Sequence, residues 1–263
     1  MTRYSLYVPG DTWLHRLHPL TKLSFSLAAA VIIFGGPGGW LAALLPGLFA
    51  LLVLWRAGLF RQATRTGVRL LAPVTVMLFL IHGFFSPQNQ TPLLRLGPFA
   101  LGEEGVAYAA LIVVRLAAVL AASLLLVFST HPGELVQALT SAGVPHGLSY
   151  LLGSPLLLLP QIAGRVHVIQ AAQQARGLET GGSLLQRARA LFPLVAPLVF
   201  SALLDVEERS LALEVRGFSA PVRKTSLREP ADTPGQRTAR WALMVLAGLL
   251  LAGGALWRLY GGH

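Results

Sequence analysis

The chain has 263 residues, of which 54% are hydrophobic and 12% charged, far fewer charged residues than the roughly one quarter found in soluble domains. It has no cysteines, which excludes disulfides and thiolate metal sites. The net charge of +10 indicates contact with anionic lipid headgroups and not with nucleic acid, because the arginines form no stripe with interleaved aromatic residues.

Five apolar segments are predicted to cross the bilayer, whose core of about 30 Å needs roughly 20 apolar residues in a helix. They cover residues 20–34, 40–55, 70–85, 106–128 and 241–260. A basic arm of mixed character precedes the first segment, and its Trp13 suits the headgroup level. The connections are a Gly-rich turn, a basic loop around residues 56–69 and a loop over residues 86–105.

The distribution of basic residues predicts the orientation. The N-terminal arm and the loop after the second segment together carry seven Lys and Arg residues, whereas the 86–105 loop carries one. Basic residues accumulate on the cytoplasmic side of membranes. We therefore expect the N-terminus to be cytoplasmic, and residues 129–240, with 11 of the 21 basic residues, to face the cytoplasm in a cell (inner) membrane.

The region after the fourth segment predicts one short and two long helices. The short helix starts near Pro132 and the long ones run over about 146–176 and 184–216. Each long helix begins with an apolar run that contains two prolines, turns polar and stops at an Arg-Gly pair, Arg176-Gly177 or Arg216-Gly217. Glycine after a basic last turn is ordinary helix-stop chemistry. The repeat of the whole plan 40 residues apart, however, favours arginines that contact a partner's carboxylates.

The charge rule also bears on the apolar halves of the two long helices. If both halves crossed the membrane, the basic connection between the helices would lie outside. We therefore prefer five spans, with the long helices at or just inside the cytoplasmic surface. The sequence is predicted to divide into residues 1–128 with four spans, 129–218 with the three coupling helices, and 219–263 with a flexible linker and the fifth span. The fold class is an all-α membrane protein.

These motifs carry a family resemblance. The segment QAAQQARG and a second RGF forty residues later resemble the transmembrane T component of energy-coupling factor transporters, the EcfT/CbiQ family. YVPGDTWLHRLHPLTKL and VRLAAVLAASLLLVFSTHPGELVQAL are similar to the family's N-terminal arm and to its fourth span with the first coupling helix. Val215, His18 and Leu20 depart from the usual residues.

The resemblance implies a function for the chain. The protein would belong to an ABC-type importer of a vitamin or a transition metal such as cobalt, and would connect a separate substrate-binding membrane subunit to two cytoplasmic ATPase subunits. The ATPases would bind ATP and magnesium, so this chain would need no cofactor and would not be an enzyme. The two motifs, Ala175-Arg176-Gly177 and Val215-Arg216-Gly217, would each dock on one ATPase.

Other polar residues are weaker candidates. Arg115 lies at mid-depth in the fourth span, where a charge is costly and usually faces protein or water, so it is a candidate for an intramembrane contact. His15 and His18 have no acidic cluster nearby, and no metal site is predicted. The acidic group that starts at Asp205 is read as a solvated helix face or as a contact with the paired helix or an ATPase.

Two other functions stay open on the residues alone. An autonomous secondary carrier usually has repeats of broken helices with ionisable groups at the midplane, and only Arg115 fits that description. An intramembrane enzyme needs a nucleophile with a base, a metal cluster or an acid pair. The spans offer Ser123 and Thr75 without such a partner, so no catalytic residue is predicted.

Overall fold

A computed structural model describes residues 6–36, 39–86, 91–96, 99–178, 184–222 and 231–260, with the side chains at 92–100, 156–157, 184–191 and 257–260 outside the description. The described chain is helical apart from one small hairpin, which confirms the all-α membrane class. Its elements are α1 (Trp13–Arg16), α2 (Pro19–Gly35), α3 (Trp40–Arg56), α4 (Phe60–Phe85), β1 (Pro92–Leu96), β2 (Phe99–Gly102), α5 (Glu103–Ser129), α6 (Pro132–Ser141), α7 (His146–Ala175), α8 (Leu184–Val215) and α9 (Pro234–Tyr260).

The five predicted spans fall in α2, α3, α4, α5 and α9. By length and composition α4, α5, α7 and α9 can each cross a membrane, while α2 and α3 are apolar helices of 17 residues. Seventeen helical residues rise about 26 Å, close to the thickness of a hydrocarbon core. Because α7 also qualifies, the prediction that its apolar half lies at the cytoplasmic surface rests on the charge rule.

Two predicted loops are partly regular structure. Helix α4 begins at Phe60, so most of the basic segment after α3 is helical. Arg61, Arg65 and Arg69 recur every four residues and share a face of that helix. The arginines mark where the apolar segment 70–85 begins, but the helix itself starts ten residues earlier, at Phe60. Residues 86–105, also predicted as a loop, include the antiparallel hairpin of β1 and β2 and the start of α5 at Glu103.

Small residues make the membrane helices pack closely. Residues 6–144 and 230–263 form one compact unit, whose buried core includes Ala29, Ala43, Ala50 and Ala118. At Gly47, an added Cβ would lie 2.8 Å from the Cβ of Ala118, so α3 and α5 approach too closely there for a larger residue. In lipid, association depends on such contacts because the hydrocarbon surroundings are themselves apolar.

The N-terminal arm, expected at the membrane interface, is packed into this unit. The Val8 amide donates to the Phe128 carbonyl (3.0 Å), and the Nζ of Lys22 donates to the Ser129 carbonyl (2.8 Å). Lys22 is only 2% exposed. The last carbonyls of a helix lack intrahelical partners and carry partial negative charge. The arm, through Val8, and α2, through Lys22, therefore satisfy carbonyls at the C-terminal end of α5.

The segment before α9 is more ordered than the predicted flexible linker of residues 219–240. Asp232 forms ion pairs with Arg237 (2.8 Å) and Arg240 (2.7 Å), and α9 begins at Pro234. Arg240 reaches the Nδ1 of His18 (3.2 Å) and the Oγ1 of Thr21 (3.4 Å), at the start of α2. The C-terminal part of the expected linker is thus a polar anchor for α9, while residues 223–230 lie outside the described residues.

Candidate functional site

The end of α7 is a capped helix terminus that presents an arginine. Gly177 has φ +90°, a left-handed conformation that glycine adopts without the strain a Cβ would bring. Its amide donates to the Gln174 carbonyl (2.9 Å), and the Leu178 amide donates to the Gln173 carbonyl (3.0 Å). These two bonds define a Schellman motif with Arg176 as its cap residue, which confirms the predicted helix stop.

The end of α8 repeats this geometry. Gly217 has φ +72°, its amide donates to the Glu214 carbonyl (2.9 Å), and the Phe218 amide donates to the Leu213 carbonyl (2.9 Å). Arg216 therefore occupies the same position as the arginine of the first motif. The predicted repeat is one of backbone conformation as well as of sequence. The sequence Ser183-Leu184-Leu185-Gln186 fits an N-terminal capping box for α8, but Ser183 lies outside the described residues.

Both arginines are exposed and have no partner in the part of the chain that the structure describes. The non-glycine residues of both motifs are exposed: Ala175 and Arg176 in the first, and Val215 and Arg216 in the second. Val215 is 90% exposed. Within the described parts of the chain, neither guanidinium group forms a hydrogen bond or an ion pair with another residue. The donors of each guanidinium group are therefore free of partners among the described residues, at the end of a capped helix.

Polar contacts between α7 and α8 show that the helices run antiparallel. Arg165 forms an ion pair with Asp205 (2.5 Å) and donates to the Ser201 carbonyl (3.1 Å). On either side, Arg209 donates to the side chain of Gln161 (2.5 Å), and Gln173 lies 3.5 Å from the Pro193 carbonyl. Residue numbers rise on one helix as they fall on the other.

This pairing places the two arginine ends far apart. Because the ends belong to antiparallel helices, Arg176 lies beside the start of α8 and Arg216 beside the start of α7, where Phe218 contacts the ring of Tyr150. About 24 residues of α8 separate the two levels, which corresponds to roughly 36 Å of helix rise. The two motifs therefore lie at opposite ends of one helix pair.

The four prolines lie inside the helices, as the sequence indicated. Pro155 and Pro160 are in α7, and Pro193 and Pro197 are in α8. Pro197 has no amide hydrogen for the carbonyl four residues earlier, that of Pro193. The side-chain amide of Gln173, through its Nε2, approaches this free carbonyl from the neighbouring helix. The proline thus opens an acceptor site for a contact between the two helices.

Arg115 lies near the middle of α5, as predicted. Its Nε is buried and has no hydrogen-bond partner, and no described acidic residue pairs with it. The contact predicted for Arg115 stays a prediction.

His15 and His18 serve the local structure: His15 contacts Thr12 and the Val8 carbonyl, and His18 caps the start of α2. Among the described residues, no cluster of three metal-ligating side chains occurs.

Sequence reasoning missed the polar anchor of α9. His18 is 3% exposed, and burial, the largest cause, lowers the pKa of its imidazole; Arg240, Arg237 and Lys22 add to this effect and Asp232 opposes it. A hydrogen bond from Arg240, with help from Arg237, lowers the pKa of Asp232 to about 2. The partners are more than 200 residues apart, so no local pattern pointed to them. By contrast, contact with the paired helix was one interpretation of the acidic group that starts at Asp205, and Asp205 does pair with Arg165 of α7.

Comparison with known proteins adds an independent result. The model of the CbiQ family, described as a cobalt transport protein, matches residues 10–227. The energy-coupling factor transporter transmembrane protein EcfT of Brevibacillus brevis is 32% identical over 234 residues, which is 85% of this chain and 87% of the relative. The EcfT proteins of Lacticaseibacillus paracasei and Heliobacterium modesticaldum are each 30% identical and cover 93% and 84% of the chain, or 96% and 86% of their own lengths.

Proposed function

Since the chain belongs to the EcfT/CbiQ family of transmembrane components of energy-coupling factor transporters, we propose that it mechanically connects two cytoplasmic ATPase subunits to a separate substrate-binding membrane subunit. The family membership makes it a multi-pass membrane transport component. The proposal adds the partners, the direction of coupling and import of a vitamin or a transition metal ion. In it, ATP and magnesium are bound by the ATPases.

The observation that carries the proposal is the matched pair of arginine ends. Arg176 and Arg216 cap their helices with the same Schellman geometry and are exposed without partners among the described residues. Their roughly 36 Å separation, estimated from helix rise, gives each of two similar ATPases its own contact. A groove with a carboxylate would accept the planar guanidinium fork in two parallel hydrogen bonds.

The polar bridge between the helices supports a mechanical role. Arg165 and Asp205 meet between the two arginine ends, and the contacts of Gln161 with Arg209 and of Gln173 with Pro193 lie on either side. A displacement at one helix end is therefore transmitted to the other helix through several contacts. Exposed apolar side chains such as Phe192 (82%) and Phe200 (69%) offer surface for a membrane partner.

The proposed orientation follows from charge. With the N-terminal arm and the helix pair on the cytoplasmic side, the basic residues lie where the positive-inside rule places them. With the protein in the cell (inner) membrane, the arginine ends are then accessible to ATPases in the cytoplasm.

Charge reversal of both arginines tests the proposal. Arg176→Glu and Arg216→Glu should each weaken recovery of the ATPases with the protein from solubilised membranes, and the double variant should reduce substrate uptake to background. Arg65→Glu, at another exposed arginine, is the matched control and should leave both unchanged. Uptake at the unsubstituted level by a double variant that is present in the membrane would refute the docking role.

A further inference from the structure

Residues 7–22 contact the chain beside both points at which it connects the membrane unit to the α7–α8 unit. The chain leaves the membrane unit after Val144, shortly beyond the end of α6, and returns to it at Pro230, just before α9. Helices α6 and α9 therefore carry the two covalent connections to α7 and α8. Any movement of α7 and α8 pulls on the membrane unit at these two helices.

The first connection is held by the N-terminal arm. The ring of Tyr7 packs nearly perpendicular to two histidine rings, with its centroid 5.5 Å from that of His131 and 6.1 Å from that of His15. His131 is the N-cap residue of α6, and its Nδ1 accepts a hydrogen bond from the Gly133 amide (3.1 Å). His15 is fixed in turn, because its Nε2 lies 3.0 Å from the Val8 carbonyl. Tyr7 thus connects the start of α6 to α1.

Lys22, in the first turn of α2, continues this series of contacts. Its Nζ donates to the His15 carbonyl (3.4 Å) and to the Ser129 carbonyl at the end of α5 (2.8 Å). The lysine is buried, and a buried ammonium group without acceptors would be costly. Its two acceptors are therefore held in place, which fixes the arm and the end of α5 to α2.

The second connection is attached to the same part of α2. In the first turn of α9, the Oε1 of Gln236 accepts a hydrogen bond from the His18 amide (2.8 Å). One turn later, Arg240 pairs with Asp232 and reaches the Nδ1 of His18. His18 is the N-cap residue of α2, about one turn before the lysine that holds the arm. Both connections are thus attached within one turn of α2.

We propose that residues 7–22 form a clamp that holds both connections to the α7–α8 unit together. Its contacts run as an unbroken series from α6 to α9 through His131, Tyr7, His15, Lys22, His18 and Gln236. If ATPases move α7 and α8, as in the proposed function on which this inference rests, the clamp passes that movement to α2 from both connections at once. Tyr7 and Gln236 are then positioning residues for the coupling.

Hydrogen exchange of the full-length protein in lipid nanodiscs tests whether the two attachments are one clamp. Tyr7→Ala removes both ring contacts and should accelerate exchange in α6. It should also accelerate exchange at the start of α9 at least about twofold, the lower end of the coupling between residues of one contact network. Gln236→Ala should have the reciprocal effect on α6. Tyr7→Phe keeps the ring and should behave like the unsubstituted protein.

A matched control breaks a similar contact elsewhere in the membrane unit. Tyr108 of α5 packs against the ring of His82 of α4 with centroids 5.1 Å apart, so Tyr108→Ala should leave exchange in α6 and α9 unchanged. If Tyr7→Ala is poorly folded, as judged by its melting temperature, Gln236→Ala decides the question from the other side. Effects confined to α6 in Tyr7→Ala and to α9 in Gln236→Ala would show two independent attachments and overturn the clamp.

The role of the clamp in coupling has its own measurement in the complex with its ATPase subunits. Addition of ATP and vanadate should change exchange in α2 in the unsubstituted complex and in Tyr7→Phe. Tyr7→Ala should lose this change and still retain the ATPases. An undiminished response of α2 in both Tyr7→Ala and Gln236→Ala would contradict the role in coupling. Failure to recover any ATPase with the unsubstituted protein would instead contradict the proposed function, and exchange in the chain alone would still decide the clamp.

Discussion

The two compact units of the chain are stabilised by different kinds of contact. The membrane unit buries small residues between closely spaced helices and attaches its arm and last helix through buried polar groups such as Lys22 and Arg240. Among the side chains that the structure describes in the α7–α8 unit, few are buried and many large apolar ones are exposed, and polar bridges join the two helices. The first unit thus carries its own core, whereas the second presents surface suited to partners.

The sharpest test of the packed unit is the contact between α2 and α9. A Cβ at Gly254 would overlap the carbonyl oxygen of Gly35, which is backbone and cannot turn away. We expect Gly254→Val to destabilise the protein by about 3 kcal/mol, seen as a lower melting temperature in detergent. Gly248→Val on the same helix meets no atom within 4 Å and is the control. An equal loss in both variants would contradict close packing at Gly254.

In the α7–α8 unit, the largest single effect should come from the ion pair between the helices. Asp205→Ala leaves Arg165 with only the Ser201 carbonyl. Since both groups are partly exposed, the expected loss is about 1.5 kcal/mol, measured as faster hydrogen exchange in both helices. Glu207→Ala, at an exposed neighbour, should have no such effect. Unchanged exchange after loss of Asp205 would mean that the pairing does not depend on this bridge.

A smaller effect should follow from the cap that presents Arg176. Gly177→Ala forces a side chain into the left-handed conformation at φ +90° and should destabilise the end of α7 by about 1 kcal/mol. Gly164→Ala, inside the same helix with no atom within 4 Å of the added Cβ, should instead stabilise it by about 0.5–1 kcal/mol. Hydrogen exchange at the end of α7 measures both; the same sign for the two variants would contradict the assigned cap.

The smallest expected effect is the pH response of the polar anchor. The Nδ1 of His18 accepts hydrogen bonds from Leu20 and Arg240, so it must be unprotonated. Burial lowers the pKa of His18 below its ordinary 6.5; its contribution to stability is therefore complete above pH 6.5 and declines as the pH falls from 6.5 towards the lowered pKa. The charges facing the ring are those of Asp232, Arg240, Arg237 and Lys22.

Hydrogen exchange at the start of α9 measures this response. Exchange should accelerate as the pH falls below 6.5, after correction for the intrinsic pH dependence of exchange. His18→Gln should remove that additional dependence, and His167→Gln, at an exposed histidine, should preserve it. A response that persists in His18→Gln would assign it to another group.

Much of the candidate site was predictable because helix ends depend on local chemistry. A Schellman cap involves six consecutive residues, so Arg176-Gly177 and Arg216-Gly217 were recognisable in the sequence alone. Helix lengths were less accurate where charge was taken as a sign of a loop, as at residues 60–69 in α4. Charged residues occur in both helices and loops, so charge alone does not distinguish the two. The four-residue spacing of Arg61, Arg65 and Arg69 was the local sign of a helix.

The sequence by itself determined the membrane class, the membrane segments and the two arginine-bearing helix ends, because composition and capping act over short stretches of chain. Only the tertiary structure decided that α7 and α8 run antiparallel, which places the arginines at opposite ends, and that Arg165 meets Asp205. It also decided that His18 and Arg240, 222 residues apart, join the start of α2 to α9. Such contacts depend on how helices pack, and many arrangements of the same helices satisfy the same local preferences.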